Sequence, residues 1–207
     1  MDVSIGAKVH CTDRLDGHIA GLVLNPMAMQ VTHIIVQEKH VPYAQRLVPI
    51  DLIAESFPQH VQLHCTLSEL GKMQSFIETV LIDSRTPGYG STPYLVRSYS
   101  MPSAAYIASK VKLVALEHEL TPPGELTIHR GTRVEATDGH VGHVSRLLLD
   151  SQTGSITHIV FQEEHLWSHK NVIIPISTIQ HLEDDAVYLK LDRHSIKILP
   201  SISLHER

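Results

Sequence analysis

A chain of 207 residues that is 43% hydrophobic, 19% charged and −5 in formal charge has the balance of a folded globular protein, with room for one or two domains. Its longest apolar runs are four or five residues, too short for a transmembrane helix, and the start MDVSIGAKVH lacks the basic stretch and apolar core of a secretory leader, so a cytoplasmic location is expected. The charge is spread without a basic pole, −3 over residues 1–80 and −2 over 128–200, which argues against direct nucleic-acid binding.

Residues 5–12 (IGAKVHCT) read as a strand entered through a glycine, and Asp13–Gly17 as a turn. A second strand is expected over His18–Leu24 and, past the turn signal Asn25-Pro26, a third over Val31–His40. Arg46–Ile50 is a fourth, with Pro49 tolerable only near an edge or an end. Asp51 is placed to cap one helical turn, and His60–Thr66 alternates Val61, Leu63 and Cys65 on one face. Ser68 would then cap a short amphipathic helix over Glu69–Thr79, with Leu70, Met73, Phe76 and Ile77 on one side.

The plan then repeats. VTHIIVQEKH at 31–40 returns as ITHIVFQEEH at 156–165 with six of ten positions identical, the mark of an internal duplication. Around it, Gly131 leads into Thr132–Thr137, and the Asp138-Gly139 turn aligns with Asp16-Gly17. His140–Leu149 aligns with His18–Leu24, VIIPI at 172–176 sets Pro175 opposite Pro49, and VYLKLD at 187–192 matches VQLHCT. On that alignment a longer turn, DSQTGS at 150–155, adds three residues to the second copy. About six short strands in roughly 75 residues imply a small closed or nearly closed β-barrel. Its central triplets, Ile34-Ile35-Val36 and Ile159-Val160-Phe161, are apolar on both faces and so need covering on both. Barrel-to-barrel pairing within the chain or a homodimer would supply the cover.

Residues 81–127 differ in kind. They hold five of the 11 prolines and four of the six tyrosines, with Tyr89, Tyr94 and Tyr99 five apart, a spacing that suits neither helix nor strand. A partly ordered connector is expected there, and Ala104–Leu120 could hold a helix.

The residues with chemistry in them read mostly as structure. Cys11 stands opposite Ala136 and Cys65 opposite Leu191, so both are expected to be buried thiols filling apolar positions. A site built from His10-Cys11 and His64-Cys65 is disfavoured, because strand neighbours face opposite ways. Of 16 histidines, His18/His140, His33/His158 and His40/His165 recur between copies, as inherited scaffold would. His140…His143 and His165…His169 have ligand-like spacing without the cysteine or carboxylate company of a zinc site. Glu38/His40 and Glu163/His165 read as hydrogen-bonded rim pairs. No catalytic, cofactor or metal residue is assigned. The candidate interface residues are Trp167, an anchor type if exposed, with Ile35, Val160, Tyr89, Tyr94 and Tyr99.

With these strands placed, the chain resembles the PRC-barrel family. That barrel occurs in the photosynthetic reaction-centre H subunit and in the C-terminal half of a bacterial ribosome maturation factor. The carrying residues are Gly6…Val9, Asp16–Ile19, Val31–Val36 and Leu47–Ile50, and in the second copy Gly131…Val134, Asp138–Gly142, Ile156–Phe161 and Ile173–Ile176. The resemblance implies a mainly β fold of two such barrels in tandem, each with a short C-terminal helix: copy 1 at 1–80, a linker at 81–127, copy 2 at 128–200 and a tail at 201–207. It also implies a non-enzymatic protein-binding or adaptor module. The alternatives are a ribosome- or RNA-associated factor and a histidine-based metal or small-ligand sensor.

Overall fold

The computed structural model describes residues 1–40, 43–83, 113–150, 152–165, 168–183, 185–199 and 201–202. The fold is mainly β. In the first half run β1 (Asp2–Ser4), β2 (Lys8–His10), β3 (Leu15–Asn25), β4 (Gln30–Glu38), β5 (Gln45–Pro49), β6 (Ile53–Phe57), β7 (His60–Leu63) and helix α1 (Leu67–Leu70). A hairpin follows, β8 (Ile77–Asp83) and β9 (Leu113–Glu119). Then come β10 (Leu126–His129), β11 (Arg133–Ala136), β12 (Gly139–Leu149), β13 (Ile156–His165), β14 (Ser168–Pro175), β15 (Ile179–Leu182) and β16 (Ala186–Leu189). Helix α2 (Arg193–Lys197) and β17 (Ser201–Ile202) close the chain, and among the described residues no helix is long and apolar enough to cross a membrane.

The chain forms two compact units, Met1–Phe76 with Thr121–Arg207, and Ile77–Leu120. The smaller is the β8–β9 hairpin, in antiparallel register from Ile77 opposite Glu119 to Asp83 opposite Leu113. Two sequence expectations fail at these residues. The helix over Glu69–Thr79 stops at Leu70, with Gly71 as its C-cap, and Thr66 rather than Ser68 caps its start. Ile77, Thr79, Val80 and Ile82 are β-branched, and the segment goes to strand. The C-terminal part of the helix possible at 104–120 is likewise strand β9.

The larger unit holds two open sheets built to one plan. One runs β5-β4-β3-β2-β7-β6, the other β15-β16-β11-β12-β13-β14-β17. Lys8 faces His18 and His18 faces Gln37 in the first, as Arg133 faces His143 and His143 faces Gln162 in the second. The registers place Gly17 opposite Gly142, not Gly139, so the presumed three-residue insertion disappears. A Cβ at Gly17 or at Gly142 would overlap the carbonyl of Gln37 or Gln162, respectively. That close strand approach is what reserves the position for glycine.

The sheets exchange their first strands. β2 covers only the first part of the 11-residue β3, and the rest of that edge is taken by β10, with Ile128 opposite Leu22. Reciprocally, β1 completes β12, with Val3 opposite Leu147. A second junction is equally symmetric: Gln30 bridges Ser155, while Val31 donates to the Gly154 carbonyl at 3.2 Å and Ile156 to the Met29 carbonyl at 2.8 Å. One continuous apolar core therefore runs through both sheets and includes Val3, Ile128, Ile34 and Ile159. Each exchanged strand buries its apolar residue in the sheet it joins, worth roughly 1.5–3 kcal/mol per side chain.

Replacing Ile128 by Ala should cost roughly 2–4 kcal/mol. Because the strands are exchanged, native-state hydrogen exchange should accelerate in β3 and β12 together. Faster exchange confined to one sheet would contradict the coupling.

Three exposed carboxylates brace turns and helix starts. Glu69 is held below its ordinary 4.5 chiefly by the Thr66 amide, as Asp192 is below 3.8 by Ser195 and Asp150 by the Thr153 amide. A lowered folded value stabilises above the ordinary one and is lost as the pH falls through the folded one. In an NMR titration the Thr66 and Ser195 amides, which donate to the Glu69 and Asp192 carboxylates, should therefore move with midpoints below 4.5 and 3.8, respectively. Midpoints at or above those values would refute the caps.

Candidate binding face

The strand exchange brings two glycine turns together. Gly6 (φ +94°) links β1 to β2 and Gly131 (φ +97°) links β10 to β11. Neither turn could take a side chain without strain. The crossing is pinned by the Ile5 amide donating to the Ser145 carbonyl at 3.1 Å and the Gly6 amide to the Ile19 carbonyl at 2.7 Å. Over the crossing lies a cleft of about 550 Å³ lined by residues 4–8, 58–59, 130–131, 143–145 and 162. Among the described residues its ionisable side chains are Lys8, Arg130 and His143, and none is a carboxylate. In a chain of net charge −5 this is a cationic opening.

A second groove, about 360 Å³, adjoins it through Lys8 and Gln59 and is lined further by His10, His60 and Gln62. Strand alternation sends Val9 and Val61 into the core and leaves Lys8, His10, His60 and Gln62 on the other face of the parallel β2–β7 pair. Phe57, 45% exposed, stacks on His60 at 4.6 Å and 24°, and His10 meets the same imidazole edge-on at 5.6 Å. A short ladder of rings thus lies beside a lysine, a pattern suited to a negatively charged group that also offers flat or apolar surface.

The equivalent face of the second sheet is neutralised. Arg133 meets Asp185 at 2.8 Å and Glu135 at 3.7 Å, Glu135 meets His140 at 3.3 Å, and Glu183 meets His181 at 3.5 Å. The hydrogen bond to Asp185 holds the Arg133 guanidinium above its ordinary value, and the charge of Glu183 pushes the Tyr188 phenol up. One face is cationic and the other is ion-paired, on the same backbone.

The residues singled out from sequence lie elsewhere. Ile35 and Val160 are 0% and 3% exposed, covered within the chain, so neither offers open surface to a partner. Ile35 lies beside Gly21 and His129, whose ring is 6.1 Å from Phe76. Trp167, Tyr89, Tyr94 and Tyr99 fall outside the described residues. His33 and His158 each contact the preceding threonine hydroxyl, at 3.0 and 3.1 Å, an inherited local pair. Glu38 does not engage His40; its carboxylate accepts from Arg46 Nε at 2.7 Å. His140 and His143 do come together, rings 5.0 Å apart. Among the described residues no group of three or more His, Cys, Asp or Glu could hold a metal. Lys8, Phe57, His60 and Arg130 were missed. Their signal was the divergence of the copies: Phe57-Pro58-Gln59-His60 stands against Glu183-Asp184-Asp185-Ala186, and His10 against Glu135.

Residues 130–194 match the PRC-barrel domain, from the turn before β11 into α2. The family model detects no second such domain in the chain. No curated protein matches the chain.

An anionic probe separates the two faces. Adding inorganic pyrophosphate at low salt should shift the Gly6, Lys8 and Gly131 amides and leave those of Arg133 and Tyr188 still, an effect weakened as salt is raised. Equal shifts on both faces would show the charge asymmetry to be without consequence.

Proposed function

We propose that Met1–Phe76 is a second, diverged PRC-type barrel, and that the pair serves as a non-enzymatic adaptor that binds an acidic segment of another protein. The shared strand register supports the first part. The single observation that carries the second is that Lys8 and Arg130 line one opening and Lys8 adjoins His10, His60 and exposed Phe57, while the counterparts of Lys8, His10 and Phe57, which are Arg133, Glu135 and Glu183, are ion-paired. A duplicated scaffold that keeps its backbone and changes one face has specialised that face. An exposed aromatic beside cations is the kind of anchor that dominates protein interfaces, and the positive charge of Lys8 and Arg130 would steer an acidic partner onto it. Catalysis is not part of this reading, since the face presents no nucleophile paired with a base. Ribosomal particles and small ligands are the competing targets.

Affinity purification of the full chain from its native cell, followed by mass spectrometry, tests this when run beside two variants. Lys8→Glu with Phe57→Ala should reduce recovery of the principal partner by more than about tenfold, since truncating one such anchor costs about 2 kcal/mol or more. Arg133→Glu on the neutralised face should leave recovery unchanged. Partners retained by both variants, or recovered only while RNA is intact, would overturn the assignment.

A further inference from the structure

Cys11 and Cys65 stand where the second sheet has Ala136 and Leu191. Cys11 follows β2 and Cys65 follows β7; both are free, and they are 3% and 4% exposed. The Thr12 amide and hydroxyl both donate to the Cys65 carbonyl, at 3.0 and 3.4 Å, and Gln62 Nε2 donates to the Cys11 carbonyl at 3.2 Å. The two backbones are thus fixed on either side of the thiols. Between them the Cys11 thiol is hydrogen-bonded to the Cys65 sulfur. The second copy keeps the same clamp, the Thr137 amide donating to the Leu191 carbonyl at 3.0 Å, around Ala136 and Leu191. Hydrocarbon alone satisfies the packing at this position, so packing does not demand sulfur on both strands.

We propose that Cys11 and Cys65 are a latent disulfide, closed by a small peroxide that oxidises the pair. Each thiol gives up one hydrogen, an S–S bond forms, the peroxide O–O bond breaks, and hydrogen peroxide leaves as two waters. Thiols already in contact on fixed backbones have little distance to travel, which favours the intramolecular bond over further oxidation of either sulfur. Burial raises the Cys65 thiol above its ordinary value, so its thiolate is scarce and closure is slow, and the burial of both residues excludes bulky reagents. The bond joins the ends of β2 and β7, the strands that carry Lys8, His10, His60 and Gln62, and so rigidifies the cationic face. It also closes a long loop of the unfolded chain, the geometry in which a cross-link stabilises most.

Hydrogen peroxide treatment of the full chain, then digestion without reductant and mass spectrometry, tests the proposal. The expected result is one linked peptide pair, Cys11 to Cys65, with the intact mass lower by two hydrogens. The melting temperature should rise by roughly 5–10 °C, reversed by dithiothreitol. The double variant Cys11→Ala, Cys65→Leu carries what the second copy carries and should show no oxidant-dependent rise. Free thiols after treatment, sulfinic acid at either residue, disulfides between chains, or the same rise in the double variant would each overturn the proposal. If the double variant fails to fold, the peptide map of the native chain decides alone.

Discussion

Every backbone amide and carbonyl in a sheet must find a partner, and in this molecule the demand falls hardest on β3 and β12. Each is 11 residues long, yet β2 and β11, the neighbours that flank them within their own copies, are only three and four. Left alone, half of each long strand would be an open edge. The chain closes both edges with one device: β1 crosses to pair with β12, and β10 crosses to pair with β3. The rest of the architecture follows from that exchange. It sets the two glycine turns side by side, merges the apolar interiors into one core, and opens the cleft over the crossing.

Much of this was legible in the amino-acid order and some was not. Alternation and turn residues placed most strands of the larger unit, because a half-buried strand writes its register in its own residues. Strands β6 and β15 escaped, and the helical turn expected behind Asp51 gives way to strand at Ile53. The decapeptide that recurs at 31–40 and 156–165 marked equivalent strands, for Ile34 and Ile159, like His33 and His158, hold matching places in their sheets. The phase error came from the likeness of Asp16-Gly17-His18 to Asp138-Gly139-His140. Two glycines, Gly139 and Gly142, competed for one alignment, and only the close approach of Gln162 to Gly142 decides between them. The exchange of β1 and β10 was invisible, since a three- or four-residue strand looks the same whichever sheet receives it. The overlong helix after Ser68 had the opposite cause: apolar residues at helical spacing masked the β-branched run that begins at Ile77.

The two exchanges are fastened differently, and the difference tracks the local side chains. Where β1 joins β12, Arg146 reaches Asp2 at 3.0 Å, with both side chains largely shielded. The register-equivalent of Arg146 is Gly21, which offers no side chain and instead leaves room for Ile35 and His129. Thr32 adds a bond to Glu125 at 2.8 Å just ahead of β10. One junction is thus tied by an ion pair, the other by packing with a polar latch. The ion pair keeps its strength only while its surroundings exclude water. Neither fastening is required by the backbone plan, and each copy settled on its own.

That freedom bears on where recognition can occur. A strand that is apolar on both faces invites the expectation of a partner, and Ile35 and Val160 invited it here. The chain satisfies that demand from within: a lent strand, the bulk of Phe76 and the ring of His129 close over the outer side of β4. Once the apolar faces are spent on holding the copies together, recognition passes to surfaces the fold does not need. The outer side of β2, β6 and β7 is such a surface, because its side chains pack on one another rather than into the core and can change without disturbing it. Divergence between the copies concentrates there, from Phe57 against Glu183 to His10 against Glu135, while the residues beneath, Val9 and Val134, Val61 and Val187, stay the same.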